Sequence, residues 1–275
     1  MIPQAFLAEW QASCAPWPHL LMVEQDLVIS RALLNIYTDE YLRDRLAFRG
    51  GTALYKLYLM PPARYSEDID LVQVNAEPIR ETLIHLHAAL NPWLGQPKYM
   101  ATPQSAKLLY RFAADATPGL QQRLKIEINT REHLPAFALV NQPFSVISRW
   151  FSGDAMVSTF LLEELLGTKL RALYQRKKGR DLFDLDYALR RGDIDWQQVL
   201  MVFIHYLRQQ GLRVTAKQFR ANMREKISDP RFAGDILPLL RNSITFTLED
   251  AMVRLENQVM SQIDAAWKVC LTRSL

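Results

Sequence analysis

Apolar positions in the first half of the chain change period repeatedly. Over 24–45 they recur at helical spacing, with a break near Tyr37-Thr38 where Thr38 is a candidate N-cap for a second helix starting at Asp39. Residues 46–49 read as a short strand, and Gly50-Gly51-Thr52 then turns into a helix running to about Met60, where Pro61-Pro62 stop it. Residues 69–74 alternate as a strand, Pro78 opens a helix to about Leu90, and strands follow near 107–114 and 122–129. From about 159 onward the pattern is helical almost to the end, with breaks at Gly179, Gly192, Gly211 and Ser228-Asp229-Pro230. A mixed half followed by an all-helical half predicts an α+β protein of two lobes, 1–150 and 151–275, with the boundary inside 142–158.

Composition narrows the setting. The 275 residues are 49% apolar, enough to bury a large core, and no run approaches the roughly 20 apolar residues that span a bilayer. Two cysteines, Cys14 and Cys270, offer neither a metal spacing nor a disulfide framework, so a reducing, cytoplasmic compartment is expected. A net charge of +4 permits an anionic partner without demanding one. Basic residues crowd into Arg171, Arg176, Lys177, Lys178 and Arg180, and again into Arg208, Arg213, Lys217, Arg220, Arg224 and Lys226; either cluster reads as a solvated helix face or as a nucleic-acid surface. His85 and His87, two apart on a helix, diverge, and neither a nucleophilic triad nor a Walker-type loop is present.

Several short stretches carry chemistry. Strand, double glycine, helix aims free N–H groups and the positive end of the helix dipole at whatever sits above Gly50 and Gly51; the alternative is a turn that merely packs closely. Ser66, Asp68 and Asp70 follow at a strand period of two, on one face, while Ile69 and Leu71 take the other. Two carboxylates that close need a cation or an exposed position, and magnesium suits such oxygen donors. In RLKIEINT, Lys125, Glu127 and Asn129 share a face, so Glu127 joins the aspartates if its strand neighbours theirs, and is otherwise part of a polar outer face.

In STFLLEELLGTKLRALYQRKKG, Lys169 falls in the middle of the apolar stripe Leu162, Leu165, Leu166, Leu170 and Leu173. An ammonium there requires a phosphate or a carboxylate partner unless it snorkels to water. Asp181 and Asp184, three apart, open the next helix; they either complement its dipole or face Lys169 across the short turn.

FRGGTALYKLY with RYSEDIDL, followed by Glu127, Lys169 and the Arg180-Asp181-x-x-Asp184 helix, resembles the AbiEii/AbiGii toxin family of nucleotidyltransferases, within the DNA polymerase β-like superfamily. The resemblance covers about residues 24–245. It implies a small mixed sheet with helices, a helical second lobe contributing to the active-site cleft, and catalysis by Asp68, Asp70, Lys169 and Asp181. Asp68, Asp70 and Glu127 would hold two magnesium ions. Gly50, Gly51, Thr52, Ser66 and Lys169 would bind the nucleotide, and Arg49 and Asp184 would support them. The expected activity is transfer of a nucleotide from an NTP to RNA, with tRNA the expected acceptor, by a toxin of a toxin–antitoxin or phage-defence module whose antitoxin is encoded beside it. A protein or small-molecule acceptor, or a non-catalytic nucleotide- or RNA-binding module, is the alternative.

Overall fold

The computed structural model describes residues 2–272. The chain divides into two compact units, Met1–Phe160 and Leu161–Leu275.

The first unit contains α1 (Gln4–Ser13), α2 (Leu20–Thr38), α3 (Glu40–Arg45), β1 (Leu46–Arg49), α4 (Gly50–Ala53), β2 (Asp68–Gln73), α5 (Arg80–Leu94), β3 (Lys98–Ala101), β4 (Ser105–Ala113), β5 (Gln121–Asn129), β6 (Val140–Ile147) and β7 (Ser152–Thr159). A π-helical turn, Leu54–Tyr58, prolongs α4. The described strands form one mixed sheet in the order β3-β4-β5-β2-β1-β7-β6. β2 lies between β1, antiparallel to it, and β5, parallel to it. Its alternation is the expected one: Ile69 and Leu71, with Ile126 and Ile128 of β5, are each at most 1% exposed. Burial of each stabilises the unit by about 1.5–3 kcal/mol.

Buried polar groups tie α2 to the sheet. Gln25 Nε2 donates to the Glu67 carbonyl (3.1 Å) and the Arg123 carbonyl (2.9 Å), just before β2 and inside β5. The Glu24 carboxylate accepts from Asp115 N (2.7 Å), Ala116 N (3.0 Å) and Gln122 Nε2 (2.9 Å), fixing the β4–β5 connection. Asp26 accepts from the Trp10 indole (2.9 Å) and pairs with Lys56 Nζ (2.7 Å), linking α1, α2 and the turn after α4.

Three local expectations are corrected. The first long helix begins at Leu20 rather than 24, and the cap of α3 is Asp39, whose carboxylate takes the Leu42 N–H (3.0 Å), while Thr38 ends α2 and bonds back to the Leu34 carbonyl (2.8 Å). α5 starts at Arg80 and continues through Pro92 to Leu94, the proline forfeiting the N–H bond to the Ala88 carbonyl in the last turn. β3, β6 and β7 were not foreseen. Residues 142–158, where the lobe boundary is expected, run through β6, a short connection and β7.

The second unit is helical throughout its described length: α6 (Leu162–Gln175), α7 (Gly179–Leu189), α8 (Trp196–Gln209), α9 (Ala216–Ile227), α10 (Pro230–Gly234), α11 (Leu248–Gln258) and α12 (Ile263–Thr272). Leu165, Leu166, Leu170 and Leu173 of α6 are buried, as are Leu182 and Phe183 of α7 and Val199, Val202 and Phe203 of α8. Gly167 lets α6 and α8 approach so closely that a methyl group there would overlap the Val202 side chain. No described helix is long and apolar enough to cross a membrane.

Candidate functional site

β1 ends at Arg49 and the chain enters α4 at Gly50 with φ +83°, a conformation that side chains resist. Space forbids a side chain as well: a Cβ on Gly50 would collide with the Asp70 carboxylate, and one on Gly51 with the Arg64 guanidinium. Arg64 is buried, donates to the Tyr65 carbonyl (2.9 Å) and stacks 5.1 Å above the Tyr55 ring. Thr52 Oγ1 lies 2.8 Å from Ser66 Oγ and 2.5 Å from the Asp68 carbonyl oxygen. The glycine turn, Thr52, Ser66 and the start of β2 are therefore brought together.

Register settles the acids. Arg49 is the Cα partner of Asp70 across β1 and β2, and Asp70 that of Glu127 across β2 and β5. The condition set on Glu127, that its strand neighbour β2, is met. Asp68 is opposite Lys125, and the Lys125 ammonium sits 2.8 Å from Asp68 Oδ2 and 3.4 Å from Glu127 Oε2. Burial works against that charge, but the hydrogen bond and attraction of Asp68, with Asp70 and Glu127, hold the Lys125 pKa above the usual lysine value. Glu127 also meets Lys107 Nζ (2.9 Å) and accepts from Ser105 Oγ (3.1 Å). Desolvation would raise its pKa; Lys107 and Lys125 outweigh it and keep the carboxyl below its usual range. Arg49 Nη1 pairs with Glu132 Oε2 at 2.6 Å. Spacing along one strand did not assign Lys107 or Lys125 to the acids, because that pairing is set across strands.

In the second unit, Lys169 is 7% exposed and lies 3.2 Å from Asp181 Oδ1 and 2.8 Å from Asp184 Oδ2, both carboxylates wholly buried. The partner that its place in the apolar stripe requires is thus the first two turns of α7. Arg176, in the connection between the helices, grips both Asp181 oxygens (2.7 and 2.8 Å). Burial pushes the Asp181 pKa upward, yet the charges of Lys169 and Arg176 bring it below the usual aspartate value against repulsion from Asp184. Asp186, a third buried acid on α7, had no sequence signal; it pairs with Arg190 and with Arg254 (2.5 Å).

Much of the basic clustering is spent on internal ion pairs. Lys177 meets Asp229 (3.1 Å), Lys178 meets Asp235 (3.2 Å) and Arg220 meets Glu256 (2.5 Å), while Lys226 donates to the Leu173 and Tyr174 carbonyls at the end of α6. Lys217 and Arg224 of α9 remain exposed.

Among the described residues no three His, Cys, Asp or Glu side chains are grouped to hold a metal between them. The pair Asp68 and Asp70 nevertheless suits a hard cation that takes most of its shell from water and phosphate oxygens, and the Lys125 ammonium on Asp68 already answers their demand for positive charge.

The family model described as the nucleotidyl transferase AbiEii toxin, type IV toxin–antitoxin system, matches residues 31–260. No curated protein sequence matches the chain. Among solved structures, it is similar to MenT4, a nucleotidyltransferase toxin from Mycobacterium tuberculosis, with TM-score 0.65 and 18% identity over 96% of this chain and 91% of that one. It is also similar to JHP933 from Helicobacter pylori, with TM-score 0.50 and 18% identity over 90% and 97% of the two chains. At such identities the structures speak for the fold. The family model, spanning most of the 275 residues, settles membership: the chain belongs to the AbiEii nucleotidyltransferase toxin family of type IV toxin–antitoxin systems.

Proposed function

We propose that this toxin transfers a nucleotide from an NTP to a hydroxyl of an RNA acceptor, tRNA being the favoured one, in a magnesium-dependent reaction. The observation that carries the reading is the same-face placement of Asp68 and Asp70 beside the Gly50 turn, where a side chain would displace Asp70. The N–H groups opening α4 and the hydroxyls of Thr52 and Ser66 bind triphosphate oxygens. The acceptor oxygen forms a bond to the α-phosphorus as the α–β anhydride bond breaks, pyrophosphate departs and the hydroxyl proton passes to solvent. Asp68 and Asp70, with Glu127 beside them, would hold magnesium, which would supply charge neutralisation on the phosphates and a more acidic acceptor hydroxyl. Within the second unit, Asp181, kept ionised by Lys169 and Arg176, is a weak base, and its role is to hold those cations in place, with Asp184 supporting Lys169.

The exposed Lys217 and Arg224 support an RNA backbone as partner. A cytoplasmic toxin with a cognate antitoxin encoded beside it, in a phage-defence setting, completes the reading. The test is to incubate the protein with each labelled NTP and with RNA, protein and metabolite fractions. Label should enter RNA and be lost with EDTA or with Asp68→Ala. Undiminished transfer by Asp68→Ala would rule out the site, and label entering protein or metabolites alone would replace the acceptor.

A further inference from the structure

Asp68, Asp70 and Glu127 occupy neighbouring positions on two paired strands, an arrangement that like-charge repulsion opposes. The protein relieves it from within. Lys125, two residues before Glu127 and directly opposite Asp68, reaches both acids, at 2.8 and 3.4 Å, from a side chain that is itself about one-third exposed (32%). Lys107 approaches from the far side of β5 and contacts Glu127 (2.9 Å). Lys125 thus touches Asp68 as well as Glu127, whereas Lys107 touches Glu127.

We propose that Lys125 is a resident counter-ion for Asp68 and Glu127 that a divalent cation must displace, so that this lysine sets the affinity and selectivity of the site for metal. The inference rests on the magnesium reading above. A single positive charge close to the site makes every metal-binding event a cation exchange, in which the ammonium leaves Asp68 and the partly exposed stem carries it toward water. Lys125 is therefore a positioning residue: it offsets the repulsion between Asp68 and Glu127 and keeps them gathered before metal arrives. Lys107 lacks a contact of this kind with Asp68 in the geometry described and is the internal control.

Mn2+ binding to the full-length protein, read by electron paramagnetic resonance without nucleotide, tests this. Lys125→Met should bind Mn2+ about tenfold more tightly than wild type, Lys125→Arg within about twofold of it, and Lys107→Met should change affinity less than Lys125→Met. Lys125→Met should also melt at a lower temperature without metal and gain more from Mn2+ than wild type. Should Lys125→Met fold poorly, Lys125→Gln serves in its place, with the same tightening expected. Unchanged or weaker binding by the neutral variants, while Asp70→Asn binds less well than wild type, overturns the role of Lys125 and leaves the metal reading standing. If wild type does not bind Mn2+, or Asp70→Asn binds as well as wild type, the metal reading fails and takes the Lys125 inference with it.

Discussion

Gly50 and Asp70 touch so closely that a methyl group on the glycine would occupy the place of the aspartate carboxylate. Two demands meet at one residue, since Gly50 also has φ +83°. Gly50→Ala therefore incurs backbone strain of about 1–3 kcal/mol and pushes Asp70 off its position. Misplacement on the order of 1 Å costs about 100-fold in rate. Thermal unfolding and labelled-nucleotide transfer on the same preparation check this: a lowered melting temperature with near-complete loss of transfer is expected, and a stable variant of full activity would contradict the proposed role of the turn.

Lys169 pairs with two buried carboxylates, so Lys169→Met leaves Asp181 and Asp184 without one of their cations. Removing one partner from a buried ionic cluster costs about 3–5 kcal/mol. The pH dependence has a definite sign. Asp181 has a folded pKa below its ordinary value of 3.8, so its pairing contributes fully above the usual carboxylate range and is lost as pH falls through the lowered folded pKa. Urea midpoints of wild type and variant should be far apart at pH 7 and converge below about pH 4. A gap that stays constant down to pH 3 would show that Asp181 ionisation is not its source.

Alternating segments buried on one face were legible, because Ile69 and Leu71, or Leu124, Ile126 and Ile128, announce their strands without help from neighbours. The edges of the sheet were not. All four residues of β3 are exposed, and β6 carries Pro143 in its middle and Ile147 at 85% exposure, which an edge strand tolerates but which erases the pattern. Thr38 and Asp39 are both good caps, and only the hydroxyl's bond back to Leu34 decides between them. At the candidate site, the face shared by Asp68 and Asp70 follows from a period of two within one strand. The placement of Lys125 on Asp68 depends on the register of two strands more than fifty positions apart, which local spacing does not encode.

Asp26 joins the first helices to the segment after α4: its carboxylate accepts from Trp10 (2.9 Å) and Trp17 (3.4 Å) and holds the Lys56 ammonium, which also reaches Ser30 Oγ (2.9 Å). Asp26→Asn keeps the shape and removes the charge. Hydrogen bonds to charged groups contribute about 1.5–3 kcal/mol, and a loss in that range is expected by denaturant unfolding, with a change in tryptophan emission as one of the two indoles, bonded to different Asp26 oxygens, loses its acceptor. Equal stability and unaltered fluorescence would mean that Lys56 finds its partner elsewhere.

Lys226 gives the molecule a signature at alkaline pH. It is 5% exposed, and its ammonium caps α6 at the Leu173 and Tyr174 carbonyls. Desolvation lowers its pKa from 10.5 to about 8, with Asp181 and Glu225 only partly opposing. Between those two values the unfolded chain holds a proton that the folded chain has released, so stability attributable to this residue rises with pH across the window. Below about pH 8 both states are protonated and the cost of burying the charge is constant. Lys226→Met lacks this dependence, and the difference between wild type and variant cancels groups common to both. From pH 7 to pH 10 wild type should gain about 1–3 kcal/mol relative to Lys226→Met, measured as urea midpoints at half-unit intervals. A difference that stays flat up to pH 10 would place the Lys226 pKa at or above its ordinary value and remove burial as the dominant influence on it.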